Sequence, residues 1–162
     1  MFILSEDRKG SPEQIKKQFS LYRDYISGVQ HQLPPVVHQL ATSSWYYSGD
    51  HPRSPHDARL RTLSISEERN LLSGSCQLNI IVHLLSAARS LQLRFVYLDV
   101  HRYCLDYVGG SHGHQDWRFD EFRLSSEKQL EHEIEWAGAG RRARWTIVSS
   151  DLLFESQPVS CS

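Results

Sequence analysis

Charge of one dominant sign is missing from this chain: 18 Lys+Arg stand against 19 Asp+Glu, for a formal net charge of −1. That balance excludes a strongly cationic nucleic-acid binder held by bulk electrostatics, although it allows a local basic patch. Cysteine is scarce. Cys76, Cys104 and Cys161 are an odd number, and no two of them are spaced as in a zinc knuckle or a redox motif. Reduced thiols are the expectation, with Cys76 and Cys104 as small apolar strand residues in a cytoplasmic protein. Long apolar runs are also lacking, since none approaches the roughly 18 residues of a membrane helix. The N-terminal MFIL gives way at once to SEDRKG, too soon for a signal peptide. A soluble intracellular protein with no membrane partner is expected. The chain has no Walker loop, dinucleotide glycine fingerprint, HExxH, EF-hand loop or G-x-S-x-G elbow, and no RNA-recognition or helix-turn-helix pattern.

What is present is a globular composition. Hydrophobic residues make up 40% and charged residues 23% of 162 positions, enough for one domain with a real core and too few for two. Residues 1–10 read as a lead-in and 11–44 as a helical segment. In the latter, SPEQ supplies Ser11 as N-cap, Pro12 at the first turn and Gln14 as capping-box partner. Ile15, Phe19, Tyr22, Ile26 and Val29 then recur at helical spacing as one apolar stripe. Pro34-Pro35 stops that helix and starts a shorter one through Val36, Val37, Leu40 and Ala41. SSWYYSGDHPRSP is a loop by its Ser, Gly and Pro content, with Trp45, Tyr46 and Tyr47 too apolar to dangle.

From residue 57 to 155 every segment reads as a strand. Leu60 and then Leu63 and Ile65 alternate in opposite phases, which implies a bulge near Arg61-Thr62. Leu78 to Leu84, Leu91 to Tyr97 and LEHEIEW alternate cleanly, and Gly138-Ala139-Gly140 marks a hairpin turn. No helix separates the strands, so parallel crossovers are excluded and an antiparallel meander is favoured. The expected fold is α+β: N-terminal helices on a curved, mainly antiparallel sheet of six to seven strands, with 156–162 as a flexible tail.

Nine histidines focus the search for chemistry. In GGSHGHQD, residues two apart point the same way in an extended chain, so His112, His114 and Asp116 could converge on zinc or manganese. A solvated hairpin tip is the plainer reading. In DHPRSPHDARL, Asp57 could orient His56, or Asp50 could orient His51, with the histidine as a general base, but no nucleophile is in a recognisable setting. The plainer reading has Pro52 and Pro55 stiffening a strand entry where Asp57 accepts backbone N–H bonds. His132, on the apolar face of LEHEIEW, reads as a partnered core or interface histidine. Glu131, Glu133 and Glu135 form an acidic row, either a solvated face or a docking surface for a basic partner. Arg141, Arg142 and Arg144 across the hairpin offer self-neutralisation instead.

SPHDARLRTLSI, followed by LNIIVHLL and LRFVYLDVHRY, resembles a loose class of small bacterial β-rich proteins in which an HDA-type motif opens the first strand of an antiparallel sheet. Some members of that class resemble immunity proteins of polymorphic toxin systems. The resemblance rests on His56, Asp57 and Ala58 and leaves the N-terminal helix unaccounted for. It implies a structural strand entry at His56 and Asp57 and no catalytic role. Together these readings point to a cytoplasmic protein-binding module without cofactor or nucleic-acid partner, in its sharpest form an immunity protein neutralising a cognate toxin. Trp45, Tyr46, Tyr47, His112, His114, Glu131, Glu133 and Glu135 are its candidate contacts. A metal-dependent hydrolase or small-ligand enzyme built on the histidines and a structural homodimer are the alternatives.

Overall fold

The computed structural model describes residues 2–4, 11–69, 71–108 and 113–159. Helix α1, Pro12–Val29, begins with the expected capping box: Gln14 N donates to Ser11 Oγ at 3.4 Å, and Ser11 N donates to Gln14 Oε1 at 2.8 Å. A 3-10 turn, Gln30–Gln32, leads to α2, Pro35–Thr42, which buries Val37, Leu40 and Ala41. The α1 stripe sinks progressively into the protein. Tyr22 and Ile26 are buried and Phe19 is half-buried, whereas Ile15 at the first turn is exposed. No helix among the described residues is long and apolar enough to cross a membrane.

Six antiparallel strands follow: β1 Arg59–Arg69, β2 Cys76–Leu85, β3 Leu91–Leu105, β4 Asp116–Leu124, β5 Leu130–Gly138 and β6 Arg141–Pro158. The fold is α+β, with the two helices against this sheet. The sheet is not a simple meander, because the strands close into a barrel in the order β1-β2-β3-β6-β5-β4. The length of β6 explains the departure. Its first half pairs with β5 (Arg141 to Ser149), and its second half runs on along β3 as far as Pro158 opposite Leu91. Two three-stranded meanders are thereby joined through one long strand. The expected bulge is present at Arg61, between Leu60 and Thr62. The β5–β6 turn has positive φ at both central residues, Ala139 (47°) and Gly140 (75°), as a two-residue hairpin with the right twist requires.

Closure of the barrel is partial. β1 and β4 pair only at Arg59 and Asp116, next to Asp57 N–Trp117 O (2.8 Å) and Trp117 N–Ala58 O (2.9 Å). Farther along, α1 supplies what a neighbouring strand would. Tyr22 Oη accepts from Phe122 N at 2.8 Å and donates to Phe122 O at 3.2 Å, and Tyr25 Oη accepts from Leu124 N at 2.8 Å. The helix thus seals an open edge of β4 with side-chain hydroxyls, a way of satisfying ladder groups that would otherwise be orphaned. Tyr22→Phe removes one acceptor and one donor from this buried edge. It should cost about 1–3 kcal/mol in urea unfolding; a loss of only a few tenths would show that the edge is satisfied some other way.

Both chain ends depart from expectation. The lead-in docks: Ile3 and Leu4 are buried, and Phe2 N and Leu4 N donate to Glu121 Oε2 at 2.9 and 3.1 Å. Of the expected tail, residues 156–158 are strand, with Gln157 opposite Gln92 and Val159 N bonded to Ser90 O at 3.0 Å, and 160–162 lie outside the described residues. Its apolar content is low, and backbone pairing rather than burial holds it. Inside the barrel, Phe95, Trp117, Phe122, Ile134, Trp136, Trp145 and Ile147 are fully buried, so the interior is packed with side chains as a six-stranded barrel requires.

Candidate functional site

The most ordered polar chemistry lies within that core. Tyr97 Oη meets His132 Nδ1 at 2.8 Å, and His132 Nε2 meets Asp120 Oδ2 at 2.9 Å. Asp120 also accepts from Tyr46 Oη at 2.9 Å and from Trp117 Nε1 at 3.0 Å. The consistent tautomer has Tyr97 donating to Nδ1 and Nε2–H donating to the carboxylate. Phe122 stacks on the imidazole, with ring centroids 4.0 Å apart. A Tyr–His–Asp relay is the vocabulary of proton transfer, yet every member is essentially without solvent exposure. Here it works as a satisfied core network joining β3, β4 and β5 to the loop after α2.

Three residues of this network were not singled out from the sequence, namely Tyr97, Asp120 and Trp117. The signal for Asp120 was the irregular alternation of Trp117, Phe119 and Phe122. The register of β4 against β5 shifts between Trp117 and Phe119, and that bulge turns Asp120 inward beside Trp117 and Phe122. His132 is the partnered core histidine its position on the apolar face implied.

The proposed contact residues fare differently. Tyr46 is fully buried, so it cannot present a surface. Trp45 lies over Phe154 and under the Arg53 guanidinium, 4.6 Å from its ring, and Tyr47 packs edge-on against Tyr46, with its Oη 3.3 Å from that of Tyr22. Tyr46 is therefore core, while Trp45 and Tyr47 are half-buried against it. The acidic row is largely withdrawn from solvent and ion-paired: Glu133 and Glu135 are buried and Glu131 is half-buried. Arg123 binds Glu131 at 2.8 Å and also Glu133, Arg144 binds Glu133 at 2.8 Å, Arg142 approaches Glu135 at 3.4 Å, and Arg102 meets Glu131 at 3.2 Å. Self-neutralisation across neighbouring strands won, aided by the docked N-terminal residues on Glu121.

At the strand entry, DHPRSPHDARL is held by its backbone and by Ser54 rather than by an aspartate cap. Ser54 Oγ donates to Tyr46 O at 2.6 Å and accepts from His56 N at 3.2 Å. Asp57 sits in the left-handed region at φ 60°, and its carboxylate is 3.0 Å from Arg118 and 3.2 Å from His56 Nδ1, both ion-pair contacts without hydrogen-bond alignment. His56 lies edge-on to Phe119. The expected carboxylate-to-backbone bonds are absent among the described residues because this φ leaves the side chain facing Arg118.

The metal alternative rests on His112, His114 and Asp116. His112 lies outside the described residues. Asp116 is engaged by Arg59 Nε at 3.2 Å, while the His114 ring sits among Tyr107, Trp136 and Trp145 at centroid distances of 4.7, 5.6 and 5.1 Å. Burial lowers the pKa of His114 from its ordinary value. No group of three His, Cys, Asp or Glu side chains converges as a ligand set among the described residues. Cys76 and Cys104 are free thiols at exposed strand positions.

One surface feature stands out in place of these. β2 follows β3 only as far as Ile80 opposite Tyr97. Beyond that point β3 continues to Leu105 with β6 alone, so among the described residues its other edge has no strand partner. Asp99, at φ 51°, marks the parting, and Asn79 Oδ1 accepts its N–H at 3.1 Å. His101, Arg102, Tyr103 and Cys104 are all exposed along this edge. The β1–β2 ribbon projects beside it, with Leu71 and Leu72 at its tip 92% and 100% exposed. Neither a family model, nor a curated protein, nor a solved structure matches this chain.

Proposed function

We propose that this chain is a protein-binding module that takes an extended segment of its partner onto the open edge of β3. The observation that carries this reading is the stretch from Leu98 to Leu105, which among the described residues pairs on one side only and carries an exposed aromatic, Tyr103. An unpaired edge is a template for another strand, and its backbone groups supply affinity while exposed side chains supply selectivity. The Leu71-Leu72 tip adds an apolar contact of the kind that anchors protein interfaces. Neutralisation of a toxin is the specific form of this activity that the strand-entry resemblance at His56, Asp57 and Ala58 suggests. The partner surface is then β3 and the β1–β2 ribbon, not the WYY loop or the acidic row.

A photo-reactive phenylalanine in place of Tyr103 tests this in the cells that make the protein. The expected result is one discrete cross-linked partner, absent when the group replaces Glu13 in the exposed first turn of α1. Tyr103→Lys, which adds an edge-blocking charge, should weaken capture of that partner by about tenfold or more. Cross-linking only to a second copy of the chain supports the homodimer instead, and no cross-linked species at all overturns the reading.

A further inference from the structure

A cleft of about 510 Å³ opens at the barrel mouth, where β1 begins and the chain enters β4. Arg59, Leu60, Arg61, His114, Gln115 and Asp116 line it. Its size falls in the range of small-molecule sites. The inner wall is His114, whose imidazole fills a slot between Tyr107, Trp136 and Trp145. Behind it, Trp136 Nε1 has no hydrogen-bond partner although the whole side chain is fully buried, and His114 Nδ1 has none either. Buried indole N–H groups ordinarily find an acceptor, so this is an unmet demand at residues that line one void. The void between them, about 10 Å³, is no larger than a single water.

Two further facts give the slot a direction. Arg59 is committed to Asp116, but Arg61, displaced outward by the β1 bulge, has no ion pair among the described residues. His114 is flanked by left-handed residues, Gly113 at φ 65° and Gln115 at φ 69°, and ring contacts rather than hydrogen bonds hold its imidazole. The left-handed backbone of the non-glycine Gln115 is strain of the kind that clusters where a protein holds or releases a ligand.

We propose that the barrel mouth binds a pyridine-type aromatic carboxylate, its ring replacing the His114 imidazole, its ring nitrogen accepting from Trp136 Nε1 and its carboxylate pairing with Arg61. Each part of that ligand answers one observation. The flat ring matches three aromatic neighbours, the acceptor matches the orphaned indole N–H, and the carboxylate matches a guanidinium able to bind it through two parallel hydrogen bonds. His114 is then a self-ligand, a neutral heteroaromatic ring occupying the site while it is empty. Its presence reduces apparent affinity by the fraction of molecules in which it is seated.

The test is calorimetry and tryptophan fluorescence on the full chain with nicotinate and isonicotinate, using benzoate and nicotinamide as controls. Saturable binding of at least one pyridine carboxylate is expected, with benzoate (no ring acceptor) and nicotinamide (no charge) each weaker. Arg61→Ala, an exposed change that leaves the core intact, should weaken it about tenfold. His114→Ala should tighten it about tenfold by vacating the slot. The proposal is overturned if neither the parent nor His114→Ala binds either probe below about 10 mM. It also fails if Arg61→Ala binds like the parent, or if the two controls bind as well as the pyridine carboxylates.

Discussion

Raising the pH above about 10 unfolds this protein in a steep transition, complete near pH 12. Tyr22, Tyr46 and Tyr97 are fully buried, and burial away from water pushes the pKa of each hydroxyl above its ordinary value. The Asp120 carboxylate adds to the shift at Tyr46 and Tyr97. In the unfolded chain these phenols ionise near pH 10, whereas the folded protein keeps them protonated. Above that pH the unfolded state therefore binds fewer protons than the native state, and stability falls as pH rises. The contribution is fully present below the unfolded value and is lost progressively above it. Each phenol costs about 1.4 kcal/mol per pH unit, so the three together remove about 4 kcal/mol per unit. A small domain with a stability of ~8 kcal/mol is exhausted about two units above pH 10. Absorbance at 295 nm and far-UV circular dichroism, followed together, should show a block of tyrosine ionisation coincident with loss of the β signal. Ionisation of all seven tyrosines with the fold intact would remove the basis for this expectation.

How much of this was legible from the residues depends on the range of the interaction. The capping box at Ser11 and Gln14, the second helix at Pro35, the bulge at Arg61 and the Gly138–Arg141 turn are local. Each follows from propensity, period or turn chemistry within a few residues. Barrel closure is not local, because the alternation of β6 is the same whether it pairs with β5 alone or with β5 and then β3. The row Glu131, Glu133 and Glu135 shows why burial is harder to read than periodicity. Alternation correctly placed these residues on the face opposite His132, but not the arginines and N-terminal residues that cover that face. The same holds for Tyr22, whose place on the apolar stripe was plain while its hydroxyl's task on the β4 edge depended on a residue 100 positions away. The candidate site followed the same rule. The aromatic cluster Trp45–Tyr47 drew attention to a loop whose Tyr46 is core, while the open β3 edge is a property of which strand, among the described residues, is missing beside it.

Asp120→Ala should be among the most damaging single substitutions in the chain, at about 3–5 kcal/mol of unfolding free energy. The carboxylate is the acceptor for three separate donors, Trp117 Nε1, Tyr46 Oη and His132 Nε2, and neither it nor any of these partners has meaningful solvent exposure. Truncation leaves all three donors unpaired in a site water cannot easily fill, and each orphaned group carries a desolvation penalty of about 1–3 kcal/mol. The sum is reduced because Tyr46 and His132 can shift toward one another, while the lost side-chain volume adds only a small cavity. Double-mutant cycles distinguish a network from independent bonds. Once Asp120 is alanine, His132→Ala should cost markedly less than it does in the parent, because the histidine's main partner is already gone. Urea unfolding of the four proteins gives the coupling directly. Additive losses, or an Asp120→Ala penalty below about 1 kcal/mol, would mean that stacking on Phe122 and general packing hold His132 in place. Stability would then rest on the aromatic interior, with the Tyr97–His132–Asp120 relay energetically incidental to it.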